Sequence, residues 1–186
     1  MKEEYLDIRT PDGKTTGEVK ERTQVHIDGD IHGTSHVWLI RRKENGKFDI
    51  LLQKRSATKD AYAGCYDISS AGHIPAGQDY LESAIRELEE ELGIKAKPEE
   101  LKLIGMHDGM MEAEFYGSVF RNHEISAVYI YEKPVDDKDI KLQEEEVESV
   151  MWIDFDECRE KLKMGEIKNC IFDDEFKMLE KAIRNI

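Results

Sequence analysis

Between Gly72 and Ile94 the chain reads GHIPAGQDYLESAIRELEEELGI, which gathers Glu82, Glu87, Glu89, Glu90 and Glu91 into one short stretch. Like charges one turn apart weaken a helix by about 0.2–0.5 kcal/mol per pair. A sequence that keeps them either solvates them or uses them. Asp79, followed three residues later by Glu82, marks a helix start, and Gly93 suits the left-handed residue that ends one. Between them Leu81, Ala84, Ile85, Leu88 and Leu92 recur at helical spacing and form one apolar stripe. Glu87, Glu90 and Glu91 then share a flank beside that stripe, while Glu82 and Glu89 fall on the solvated side. Three converging carboxylates are hard oxygen donors of the kind that hold Mg2+ or Mn2+ and leave room for substrate phosphates. The competing reading is an acidic face that is only solvated.

The whole stretch resembles the Nudix box, G-x5-E-x7-R-E-U-x-E-E-x-G-U, where U is aliphatic. Gly72 opens it, Arg86, Glu87 and Leu88 match R-E-U, Glu90 and Glu91 match E-E, and Gly93 and Ile94 match G-U. Gln78 stands where the first Glu of the pattern belongs. A spacing this long and rigid is specific. The resemblance implies an α+β fold, a Nudix-type α/β/α sandwich with a mixed sheet, built as one domain over residues 1–186. It implies attack of water on a diphosphate, assisted by Mg2+ or Mn2+ held by Glu87, Glu90 and Glu91, with a backbone carbonyl from Gly72. Arg86 would steer a glutamate by ion pairing. The general base stays open among Glu87, Glu91 and Glu124. Gln78 can still hydrogen-bond Arg86 through its carbonyl, so its departure predicts altered metal affinity rather than a dead enzyme.

Leu51 to Ile74, LLQKRSATKDAYAGCYDISSAGHI, resembles the isopentenyl-diphosphate isomerase branch of the superfamily. In that branch an Arg and a Lys four residues later grip the diphosphate, and Arg55 and Lys59 match in type and spacing; the alternative is an exposed basic strand end. The branch also carries a metal-binding histidine set. His26, His32 and His73 correspond to it, although the spacing of His26 departs, and taken singly each reads as an ordinary strand or loop histidine. Glu124 stands where the branch places a glutamate on the strand after the box, suited to metal or base work. The isomerase itself is disfavoured, because Ala71 occupies the position of its catalytic Cys, and moving a double bond needs a proton donor and an acceptor on opposite faces. The expected substrate is a small organic or nucleoside diphosphate. A ligand-binding domain without catalysis would need lost carboxylates, and the triad is complete.

These residues need a scaffold. Thr34–Ile40, Phe48–Arg55, Cys65–Ile74, Leu101–His107, Ile125–Lys133 and Ser149–Phe155 read as strands, with Asn45-Gly46 as a hairpin turn. Thr10–Lys14 reads as a turn. His107–Phe120 reads as a loop that sets specificity, and Asp136–Glu148 as a solvated acidic loop. Asp156–Lys163 and Asp173–Arg184 read as helices, which with the box helix makes three. Trp38, Tyr129, Tyr131 and Trp152 suit either a pocket wall or the core. The 186 residues can bury one good core, and a net charge of −14 argues against nucleic-acid partners. No apolar run approaches a membrane span. Cys65, Cys158 and Cys170 show no paired spacing, which fits a reduced cytoplasm. By analogy with such folds, two copies pairing through their sheets into a homodimer is a further expectation.

Overall fold

A computed structural model of the chain describes residues 4–59, 61–115 and 118–186. These residues form nine strands and four helices. An N-terminal hairpin, β1 (Tyr5–Arg9) and β2 (Thr15–Glu21), runs into α1 (Arg22–Asp28). Then follow β3 (Ile31–Arg42), β4 (Phe48–Arg55), β5 (Tyr66–Asp67) and β6 (Ser70–His73). The box helix is α2 (Tyr80–Leu92). After it come β7 (Leu101–Phe115), β8 (Ser118–Tyr131), β9 (Val147–Asp154), α3 (Phe155–Met164) and α4 (Asp173–Ile183). No described helix is long and apolar enough to cross a membrane.

The main sheet runs β5-β4-β3-β8-β7, with β6 on β3 and β9 on β4. β3 and β8 are parallel and the other pairs antiparallel, so the sheet is mixed. Side chains alternate across a strand, and here both faces are covered. On one face Val37, Leu39, Ala127 and Tyr129 pack against Ala84, Leu88 and Leu92 of α2. On the other, Trp38, Ile40, Val128 and Ile130 pack against Phe155 of α3 and Phe176, Leu179 and Ile183 of α4. That double cover explains why His32 to Ile40 of β3 is buried without a break. The architecture is the expected α/β/α sandwich.

Several elements differ from the sequence reading. The stretch 65–74 is two short strands, because β5 pairs with β4 and β6 with β3. His107–Phe120 is not a loop: β7 and β8 run on as a long hairpin whose register continues to Phe115 opposite Ser118. The β1–β2 strands and α1 add a fourth helix and a small cluster of Leu6, Ile8 and Val25, where sequence placed only the turn at Thr10–Lys14. The aromatics Trp38, Tyr129 and Tyr131 are core, while Trp152 is partly buried, with the Arg41 guanidinium over its ring. Asp136–Glu148 is a loop containing one short 3-10 turn, Asp137–Asp139.

Candidate active site

α2 starts at Asp79, whose side chain accepts from the backbone N–H of Tyr80, and ends at Gly93 with φ 71°. Its apolar stripe seats Ala84, Leu88 and Leu92 fully in the core. Glu82 and Glu89 are exposed. The acidic flank is graded rather than uniform, since the helix also packs against β6. Glu91 is 5% exposed, Glu87 is mostly buried, and the Glu90 side chain is 52% exposed.

Arg86 organises this flank. One guanidinium nitrogen is 2.7 Å from Glu87 and another 2.8 Å from Glu90. It also donates to the backbone carbonyl of His73 at 3.1 Å, which ties α2 to β6. Glu91 accepts from the Ala71 N–H at 3.2 Å. Burial, with the neighbouring charge of Glu87, raises the Glu91 carboxyl to about 8. Burial also raises Glu87, to about 7, against the opposing pull of Arg86. Gly72 lies under Glu87: a Cβ there would fall well inside 3.0 Å of its carboxyl group, so only glycine leaves the space that Glu87 fills. Two buried carboxylates, Glu87 on its glycine floor and Glu91 one turn along, with one arginine paired to Glu87 and Glu90, form an oxygen-rich flank short of positive charge. Mg2+ or Mn2+ fits that donor set.

Gln78 does not reach Arg86 in this arrangement. Its side-chain oxygen accepts from Ser83 at 3.4 Å, a long contact at the helix start. The expectation that it would hydrogen-bond the arginine is therefore corrected.

Arg55 and Lys59 are neither bare nor freely exposed. Arg55 is 3.1 Å from Asp67 and also donates to the Ala61 carbonyl. Lys59 is paired with Glu146 of the acidic loop. Both act electrostatically on Glu91, so the fold brings them into the neighbourhood of the carboxylate flank.

The three histidines converge, which overturns reading them singly. His26 closes α1, His32 opens β3 and His73 ends β6. Their ring centroids lie 5.0–5.4 Å apart, and one ligand atom from each falls within 4.8 Å of the others. His26 Nδ1 is 2.8 Å from the Arg22 carbonyl and His32 Nδ1 is 3.1 Å from the Asp30 carbonyl. Those bonds place the hydrogen on Nδ1 and leave the Nε2 lone pair free. The Nε2 atoms of all three rings are buried without a partner. Burial lowers His26 to about 4, and it also lowers His32 and His73. Neutral imidazoles aimed at one point fit a divalent transition-metal ion. Glu124 on β8 stands opposite His32 in the parallel register, and its charge acts on both His26 and His32.

Sequence reasoning missed His36, His107 and Glu175, which meet behind Glu124. His36 sits on β3 four residues after His32, so strand alternation puts both on one face. Glu175 lies on the apolar stripe of α4 with Phe176 and Leu179, and an acid at such a position was the available signal.

Known proteins supply a frame for this geometry. The family model described as NUDIX domain matches residues 32–174. Nudix hydrolase 3 of Arabidopsis thaliana is 40% identical over 161 residues, which cover 86% of this chain and 20% of that protein. The chain thus spans about a fifth of that relative's length. An uncharacterised Nudix hydrolase of Clostridium acetobutylicum is 38% identical over 157 residues, covering 84% of this chain and 73% of the relative. Among solved structures, DR0079 from Deinococcus radiodurans matches with a TM-score of 0.64 over 98% of both chains, at 16% identity, a likeness of fold alone.

Proposed function

The chain belongs to the Nudix family, and from that premise we propose that it is a hydrolase cleaving the diphosphate linkage of a small organic or nucleoside diphosphate. The observation that carries this reading is the pair of buried carboxylates, Glu87 and Glu91, with Glu87 packed onto Gly72 and paired with a single arginine. Two carboxyls raised to about 7 and about 8 need a cation to ionise together at neutral pH.

Glu87, Glu90 and Glu91, with the Gly72 carbonyl, would hold Mg2+ or Mn2+. Bound there, the cation offsets charge on the diphosphate as the phosphoryl group transfers. Arg86 keeps Glu87 and Glu90 in place and fixes them to β6 through the His73 carbonyl. Arg55 and Lys59 take the phosphate oxygens, giving up Asp67 and Glu146 to do so. With Glu87 and Glu91 committed to the cation, Glu124 is left to accept the proton from the attacking water. The new bond joins that water oxygen to one phosphorus, the bridging P–O bond breaks, and the second phosphate leaves with its electron pair. His26, His32 and His73 would hold a second divalent ion with a preference for nitrogen donors. The free cysteines fit a cytoplasmic setting.

A screen of small diphosphates with Mg2+ tests the proposal. Phosphate release that disappears in Glu91→Gln supports it. Rearrangement of the organic group without phosphate release would establish an isomerase instead, against the alanine at position 71. Tight binding with no turnover of any substrate would mark a ligand-binding domain.

A further inference from the structure

His36 is a buried histidine to which the mechanism above gives no part. It is 7% exposed, and its Cα faces Ala71 of β6 on one side and Val128 of β8 on the other. Its Nδ1 is 2.9 Å from one oxygen of Glu175. The second oxygen of Glu175 accepts from the indole N–H of Trp38, also at 2.9 Å. Beyond Glu175 stands His107, with Nδ1 3.8 Å from the oxygen that His36 engages and Nε2 3.0 Å from Asp174. On the opposite side, His36 Nε2 is 3.9 Å from Glu124. Trp38, Glu175 and His36 thus form one hydrogen-bonded row on the face of the sheet that α4 covers, and Glu124 lies just beyond its end.

Stability does not explain this row. Glu175 occupies the apolar stripe of α4 at 1% exposure, and replacing a buried ion pair with packed apolar residues is often neutral or stabilising. Burial alone would make the His36 ring less basic, but the carboxylates of Glu175, Glu124 and Asp67 outweigh it and raise the ring to about 9. Its Nδ1 is engaged by Glu175, and its Nε2 faces Glu124.

We propose that His36, held by Glu175, is a positioning residue for Glu124: it engages one carboxylate oxygen and leaves the other for the attacking water. The role rests on the reading of Glu124 as proton acceptor. Glu175 acts at one remove by fixing the ring, and Trp38 by fixing Glu175.

Two measurements test it, one of them independent of turnover. In 15N-resolved spectra of the His36 ring at pH 7, Glu124→Gln should shift Nε2 and leave Nδ1 in place, whereas Glu175→Gln should move both. An Nε2 signal unmoved by Glu124→Gln overturns the proposal, whatever any assay shows. In the hydrolysis assay, His36→Gln should lower kcat about ten-fold or more at nearly constant KM, the mark of an interaction used only in the transition state. Combined with Glu124→Gln it should add less than about two-fold, since the two act as a unit. Fully additive losses would overturn the proposal. Leu179→Val, which softens the core one turn along α4, should lower Tm and leave kcat alone; an equal kcat loss there would reduce His36 to a packing role. Wild-type turnover in Glu124→Gln would instead remove Glu124 as proton acceptor, and the spectra would still report whether the pair exists.

Discussion

The carboxylate flank and the histidine cluster are built in opposite ways from opposite materials. Glu87, Glu90 and Glu91 come from one turn and a bit of a single helix. His26, His32 and His73 come from a helix end and two strands. The first gathers anionic oxygen around too little positive charge, and its buried members, Glu87 and Glu91, are pushed up the pH scale. The second gathers neutral nitrogen in a buried pocket, and its groups are pushed down. In both, burial is the main force, acting on groups of opposite charge type. Two neighbouring regions are thereby suited to two different cations.

The largest test of that division is Glu91→Gln. It should lower kcat by at least about 10²-fold with the fold intact, on the scale of losing a positioned ligand or base. Gly72→Ala should approach the same loss by displacing Glu87, and Glu90→Gln should cost less than either, because Glu90 is the exposed member. Steady-state kinetics beside circular dichroism decides this. Near-wild-type turnover in Glu91→Gln would end the assignment of the flank as a metal site.

A crossed metal experiment comes next. His73→Ala should weaken Co2+ binding, read from its visible absorption, by at least about ten-fold. It should leave the activity's half-saturation by Mg2+ much less affected. Glu91→Gln should do the reverse. If either substitution weakens both ions equally, the two regions are one site.

How much of this was legible in sequence follows the same division. The carboxylate flank could be read directly, because helical spacing puts residues i, i+3 and i+4 side by side without knowledge of the fold. The β-rich runs of β3 and β8 and the stripe of α2 were equally plain. The histidine cluster depends on α1 reaching β3 and β6, and that region gives weak signals. β2 is exposed at nearly every position, so it shows no apolar alternation, and α1 has only seven residues. The outer arm of the β7–β8 hairpin escaped for a similar reason: Gly109, Met110 and Met111 carry no period, and the pairing across the hairpin sets their conformation. His36 and Glu175 lie 139 positions apart, and no local pattern joins them.

Acid and base limbs of stability offer a gentler test, in the metal-free protein. Glu91 at about 8 and Glu87 at about 7 both lie above their ordinary 4.5. Between those values the folded chain holds protons that the unfolded chain has released. Their contribution is full below pH 4.5 and is lost as pH rises toward 8. His26, at about 4 rather than 6.5, behaves in reverse: its contribution is present above pH 6.5 and is lost as pH falls toward 4. Thermal melts across pH should therefore show Glu91→Gln flattening the upper limb alone and His26→Gln the lower limb alone. A single substitution that flattened both would break the separation.

The smallest expected effect is at Gln78. Its side chain meets Ser83 rather than Arg86, so Gln78→Glu should change the Mg2+ dependence of activity by about 1 kcal/mol or less, as for a screened pair. A much larger shift in a Mg2+ titration would return this position to the metal network.

One feature joins the two regions. Gly72 and His73 are successive residues of β6: the first is the floor beneath Glu87, the second a member of the histidine cluster. Because a strand turns alternate side chains to opposite sides, a deletion or insertion of one residue between Ser69 and Ile74 would exchange their places. An imidazole would then be driven against Glu87, and the cluster would receive a residue with no ring. Both regions would fail in the same event, although each tolerates substitutions the other does not. In this four-residue strand, change of length is therefore restricted more severely than change of residue type.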